Sequence, residues 1–164
     1  PAMARAALRV GAGGEAHVLG DFDGVLKYFS TVAVPGQPVA YGVPFFAQRA
    51  MRIDATASTA ALVGADLGFG GAKWRGGAFA GGAVWGVPYG HARVLRIDPA
   101  TDQTTLVGPD LSAHGAEKWW ATVVVSGTKV LGIPWGATAL LLVDAEGGGA
   151  TTFGGPFGGP IGGG

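Results

Sequence analysis

The chain contains no cysteine. Disulfide staples and thiolate-ligated metals are therefore excluded, and the redox compartment is left open. Charge is scarce as well: Asp, Glu, Lys and Arg make up 13% of the 164 residues, about half the roughly 25% usual in globular proteins. The 11 basic residues balance 11 acidic ones. Without a positive field there is nothing to hold a phosphate backbone, and nucleic-acid binding is disfavoured. A bilayer-spanning helix needs about 20 consecutive apolar residues, and Gly and Pro interrupt every candidate run. Neither a Gly-x-Ser-x-Gly nucleophile elbow nor a phosphate-binding glycine loop ending in Lys-Ser or Lys-Thr occurs.

What the chain does have is an internal repeat. Tyr41-Gly42-Val43-Pro44 returns as Trp85-Gly86-Val87-Pro88 and again as Leu131-Gly132-Ile133-Pro134, a spacing of 44 and then 46 residues. Three further markers keep step with it. Lys27-Tyr28, Lys73-Trp74 and Lys118-Trp119 open the units. An apolar run ending in acid follows the Gly-aliphatic-Pro marker: Met51 to Asp54, Leu95 to Asp98, Leu141 to Asp144. A short segment then closes on glycine at Gly64, Gly108 and Gly154. Extrapolated backwards, the same ruler places the acid-tipped segment at Leu8-Arg9-Val10 and the glycine-closed one at Val18-Leu19-Gly20.

Units of this length, rich in Val, Trp, Gly and Pro and poor in helix formers, fit four strands each better than a helical pair. The expectation is an all-β, β-propeller-like array of four-stranded antiparallel blades, about three and a half in this chain and about fourteen strands in all. Strand a begins at Lys-aromatic, b carries Gly-Pro, c ends in the acid and d closes on glycine. Gly81-Gly82 and Ser126-Gly127-Thr128 read as a-to-b hairpins in which glycine accepts a positive φ. Asp98 to Asp102 and Asp144 to Gly148 read as c-to-d turns, in which Asp bonds its own backbone two residues on. The expected divisions are an N-terminal segment 1–7, a half blade 8–26, blades 27–72, 73–117 and 118–157, and a Gly-rich tail 158–164. A propeller ring of about four to eight blades closes only when the last meets the first. The array thus needs a second copy, which would give seven blades, or further sequence.

So few charges leave the outer surface rich in Gly and Ala. Burial in a larger assembly explains that composition, and so does a codon usage that fills loops with these residues. His17, His91 and His114 fall at unrelated phases of the repeat, which argues against a converging metal site. Asp21-Phe22-Asp23-Gly24 lacks the later ligands of a calcium loop and reads as a turn. No metal or cofactor is expected.

Lys27, Lys73 and Lys118 put a cation at the same site of each blade. One reading pairs them with Asp54, Asp98 and Asp144 or lays their stems on aromatics. The other lines one channel mouth with cations that recruit an anionic ligand or acidic peptide. Trp74 and Trp119 recur at one blade position and read as core, whereas Trp120 and Trp135 lack a matching aromatic in every unit and read as anchors for a partner.

Residues 84–101, from Val-Trp-Gly-Val-Pro through Leu-Arg-Ile-Asp-Pro-Ala-Thr, resemble the YVTN-type propeller repeat. The Lys-Trp, Gly-Ile-Pro and Ile-Asp-Pro elements are also similar to repeats in algal and protist proteins. The likeness runs from about residue 8 to 157. It implies a propeller of the kind found in surface-layer and binding proteins and in relatives of lactonases. The functional expectation is a non-catalytic protein-binding or scaffolding module, a subunit or fragment of a larger assembly, with protein partners or self-association as a homodimer. The alternative is a lactonase-like or other hydrolytic propeller completed by further blades, for which Asp54, Asp98 and Asp144 would be the metal-facing acids.

Overall fold

A computed structural model describes residues 27–157 in full, together with the backbone of two strands before them, β1 (Ala7–Val10) and β2 (Ala16–Leu19). The Asp21 to Gly24 turn, the side chain of His17 and the tail 158–164 lie outside the described residues. Three four-stranded sheets follow β1 and β2. Blade one is β3 (Tyr28–Ala33), β4 (Val39–Pro44), β5 (Ala50–Asp54) and β6 (Thr59–Val63). Blade two is β7 (Trp74–Ala80), β8 (Ala83–Pro88), β9 (Val94–Asp98) and β10 (Gln103–Val107). Blade three is β11 (Trp119–Ser126), β12 (Lys129–Pro134), β13 (Leu140–Asp144) and β14 (Gly149–Phe153).

Each sheet is an antiparallel meander in chain order, so the all-β array of four-stranded blades expected from the repeat is the observed one. β1 pairs only with β2, as the half blade would. The sole helical element among the described residues is one 3₁₀ turn, Ser112–His114. Pairing of Tyr28 with Pro44 and of Val39 with Asp54 puts the a-to-b and c-to-d hairpins at one end of the blade and the other connections at the opposite end. The first strands, β3, β7 and β11, pack beside one another and form the inner edge of the array.

The repeated residues are those that join blade to blade. Trp74 and Trp119 are fully buried. Their indole N–H groups donate to the carbonyls of Arg93 (2.8 Å) and Ala139 (2.9 Å), and the Tyr28 hydroxyl donates likewise to Arg49 (3.0 Å). A donor is needed because each of these carbonyls precedes strand c and stands outside the ladder. The marker glycine lies under the same ring: a Cβ on Gly132 would stand 3.3 Å from Trp119 Cγ and 2.8 Å from Val87 Cγ1 of the preceding blade.

Two core clusters result. One joins Tyr41 and Val43 of blade one to Trp74, Val84, Leu95 and Ile97 of blade two. The other joins Trp85 and Val87 to Trp119, Val130, Leu141 and Val143 of blade three. Among the described residues the outer face of blade three carries the same apolar positions without a neighbour: Tyr41 and Trp85 are fully buried, but their counterpart Leu131 is only half-buried, and Val123 and Val125 are about half exposed at 47% and 53%.

Asp54, Asp98 and Asp144 are turn residues. Each Oδ1 accepts backbone N–H groups, from Thr56 and Ala57, from Ala100, and from Glu146 and Gly147 respectively. The left-handed corner of these turns falls at Ser58, Asp102 and Gly148. Their charge partners are Arg52, Arg96 and Lys129, not the unit-opening lysines. Of the two expected glycine hairpins, Gly81-Gly82 uses positive φ at +54° and +78°, whereas Gly127 adopts no such conformation.

Candidate functional site

One feature recurs at the inner edge of all three blades. The pairing register of strands a and b slips between Tyr28 and Ser30, between Trp74 and Gly76, and between Trp119 and Ala121. Phe29, Arg75 and Trp120 are therefore bulged residues, and a bulge re-aims a side chain away from the sheet. Beside them, backbone hydrogen bonds run from blade to blade without interruption. Phe45 N–H donates to Lys27 O (2.7 Å), Lys73 N–H to Phe45 O (2.9 Å), Tyr89 N–H to Lys73 O (2.9 Å), Lys118 N–H to Tyr89 O (2.9 Å), and Trp135 N–H to Lys118 O (2.8 Å). This zigzag fixes the residue after each marker proline, Phe45, Tyr89 and Trp135, against the bulged residues.

The two sets form an aromatic rim along the end where strands a begin. Phe29 meets Phe45 edge-on at 4.6 Å, Phe45 meets Phe46 at 4.9 Å and Tyr89 at 6.0 Å, Tyr89 meets Trp120 at 5.8 Å, and Trp120 stacks on Trp135 at 4.7 Å and 27°. Arg75 sits in the middle. Its Cζ lies 4.7 Å from the Phe29 centroid and 2.9 Å from that of Trp120, which places the cation on two ring faces. Trp135 is 62% exposed while Phe45 and Tyr89 are 7% each, because a following blade covers the latter two.

A cleft of about 440 Å³ opens next to the rim between Phe69, Lys73, Tyr89, His91 and Glu117. Burial raises the Tyr89 phenol, and the nearby Glu117 carboxylate raises it further. His91 is stacked on Trp74 at 4.4 Å. Burial lowers its pKa, with Lys118 and Lys73 nearby adding to the effect, and Nδ1 lies 3.0 Å from the Arg93 N–H and 3.2 Å from the Arg93 carbonyl, accepting from the one or donating to the other according to tautomer. The cleft can thus offer a hydroxyl, a carboxylate and a neutral imidazole to a ligand.

Lys73 and Lys118 are 5% and 1% exposed. Lys73 Nζ donates to the carbonyls of Gly68 (2.9 Å) and Gly70 (3.0 Å), and Lys118 Nζ to Gly115 (3.2 Å). Their ammonium groups clip the loops between blades, and burial lowers both pKa values. Lys27 is half-buried. Trp120 and Trp135 come together on the rim, whereas the three lysines form no common surface. Arg75 and Glu117 escape the sequence reading because their types do not recur from unit to unit, but the expectation that Trp135 lacks a matching aromatic is corrected: Phe45, Tyr89 and Trp135 put an aromatic after the marker proline of every unit, and Phe29 and Trp120 share the bulged position with Arg75. The steps Lys-aromatic-x and Gly-x-Pro-x could have led to these two positions. Among the described residues no group of three or more His, Asp and Glu is disposed to hold a metal.

No protein-family model matches the sequence, and no curated protein matches it. Solved structures do. Virginiamycin B lyase from Staphylococcus aureus superposes with a TM-score of 0.64 at 12% identity, over 91% of this chain and 48% of its own. Kuenenia stuttgartiensis hydrazine synthase gives 0.60 at 11%, over 77% and 35%. A Bacteroides thetaiotaomicron protein of unknown function gives 0.57 at 10%, over 86% and 39%. The fold is of the β-propeller type. At such identities the likeness concerns architecture alone, and the chain spans less than half the length of each of these propeller proteins. In this fold β3, β7 and β11 hold the innermost position of their blades, and the aromatic rim lies at one end of them.

Proposed function

We propose that this propeller chain is a non-catalytic protein-binding or scaffolding module that takes its partner at the aromatic rim. One observation carries the reading: Phe29, Phe45, Phe46, Tyr89, Trp120 and Trp135, from three blades, are gathered at one end around Arg75, with the Trp120–Trp135 stack open to solvent. Aromatic rings and Arg are the side chains that dominate interface energetics, since they bring large rigid area at small entropy cost. The likeness of residues 84–101 to YVTN-type repeats belongs to the same reading.

The hydrolytic alternative is less favoured by the geometry, since Asp54, Asp98 and Asp144 sit in c-to-d turns at the end opposite the rim and are held by backbone and cations. The test is a peptide array probed with the purified chain and with the Trp120→Ser/Trp135→Ser double variant. A sequence-selective set bound by the first and lost by the second supports the reading. Absence of selective binding, or turnover of a lactone panel by the chain, overturns it.

The open face of blade three has the make-up of the two blade-to-blade contacts within the chain, and its proposed occupant is a second copy that extends the array. Light scattering should give twice 16.3 kDa for the chain and a monomer for Val123→Asp. A wild-type monomer at every concentration counts against self-association.

A further inference from the structure

Arg75 is the one charged side chain among the bulged positions, and its chemistry is left open by its surroundings. The guanidinium lies on Phe29 and Trp120. Among the described residues it donates no hydrogen bond and takes part in no ion pair. It is half-buried, so water satisfies it only in part, and a guanidinium held flat by rings presents its N–H fork in a fixed plane. Such a fork fits one planar anion, a carboxylate, bidentately.

The neighbouring charges narrow the class further. The ammonium groups of Lys73 and Lys118 are spent on backbone carbonyls, and Glu117 faces Tyr89 on the adjoining side. A dianionic phosphate would find a single fork and a carboxylate nearby, whereas a lone carboxylate needs no more than Arg75. On both sides of that fork the surface is aromatic and exposed, Phe29 at 49% and Trp120 at 37%. Apolar groups flanking the anion therefore have a place to lie.

Building on the reading of the rim as a protein-binding surface, we propose that its partner is an acidic protein segment, in which an Asp or Glu carboxylate pairs with Arg75 and adjoining apolar side chains rest on Phe29 and the Trp120–Trp135 stack. The complementarity is that of an unpaired, ring-clamped cation with a monovalent anion in an apolar sequence.

The probe is a fluorescein-labelled synthetic peptide of alternating Glu and Leu, compared with the same peptide carrying Gln for Glu, and followed by polarisation with the full chain. The acidic peptide should bind saturably and weaken as salt rises from about 50 to about 500 mM, since added salt screens the partly exposed charges. Arg75→Gln should weaken it at least about tenfold, and Arg75→Lys, which keeps the charge but loses the stacked fork, several-fold. The Gln peptide should bind neither protein. No binding of the acidic peptide by the wild type at millimolar concentration, equal binding of the Gln peptide, or unchanged affinity in Arg75→Gln each overturns the proposal. Should Arg75→Gln fail to fold by circular dichroism, unchanged affinity in Arg75→Lys overturns it instead. Selective binding of neutral peptides that depends on Trp120 and Trp135 would sink this inference while leaving the binding-module reading intact.

Discussion

Val87 of blade two lies against Gly132 of blade three, where an added Cβ would stand 2.8 Å from its Cγ1 and 3.1 Å from Leu141 Cβ. The φ of Gly132 is not in the left-handed region, so glycine is required there by space and not by backbone conformation. Gly132→Ala should therefore overpack the interface between blades and destabilise by about 1–3 kcal/mol. Denaturant unfolding monitored by Trp fluorescence measures it, and an unchanged midpoint would show that the blades can part without loss.

Trp119, which packs on Gly132, tests a polar contact inside blade three. Trp119→Phe keeps most of the ring in its buried slot but removes the donor to the Ala139 carbonyl. A loss of about 1–2 kcal/mol is expected from leaving that carbonyl without its partner. If Trp119→Phe melts with the wild type, a water or a shifted backbone has replaced the bond.

Two hydroxyls at the inner edge are buried without a hydrogen-bond partner, Ser30 Oγ and Thr122 Oγ1. Each meets a glycine of the neighbouring inner strand, Gly77 and Gly76. Removing an unsatisfied hydroxyl is neutral to favourable, so Ser30→Ala and Thr122→Val should leave stability unchanged or raise it by up to about 1 kcal/mol each. A clear loss in either variant would mean that the hydroxyl is satisfied in solution.

The pH dependence of stability should carry a histidine component. His91 has a folded pKa lowered by burial first and then by the nearby lysines, against an unfolded value of about 6.5. Its stabilising contribution is complete above that unfolded value. It is lost as pH falls from there through the folded pKa, because only the unfolded chain takes up the proton readily. Melting temperature should thus drop between about pH 7.5 and 5.5 in the wild type, and drop less in His91→Asn, which cannot titrate. Parallel pH curves for the two proteins would refute the assignment.

The legible part of the protein is the part made by contacts that repeat. Lys-aromatic, Gly-aliphatic-Pro and the acid-tipped strand each mark a contact that a blade makes with itself or its neighbour, so their period announces the four-stranded unit. Asp98 and Asp144 were readable as turn formers because an Asx turn is a local hydrogen bond, and Asp54 takes the same role one period earlier. The rim was partly legible, in Trp120 and Trp135 and in the aromatic that follows every marker proline, Phe45, Tyr89 and Trp135. Nothing in a lone arginine followed by Gly76-Gly77 marks Arg75 as a site, and the recurrence of Lys27, Lys73 and Lys118 drew attention to cations whose surroundings no periodicity describes.

By itself, then, the sequence determined the blade, since strand, turn and marker glycine are set by residues close in the chain or one period apart. Tertiary structure alone decided where chemistry is exposed. Loop carbonyls withdrew Lys73 and Lys118 from solvent, and the bulge that turns Arg75 out places it between rings from two other blades. Residues as far apart as Phe29 and Trp120 become neighbours only when all three sheets have stacked.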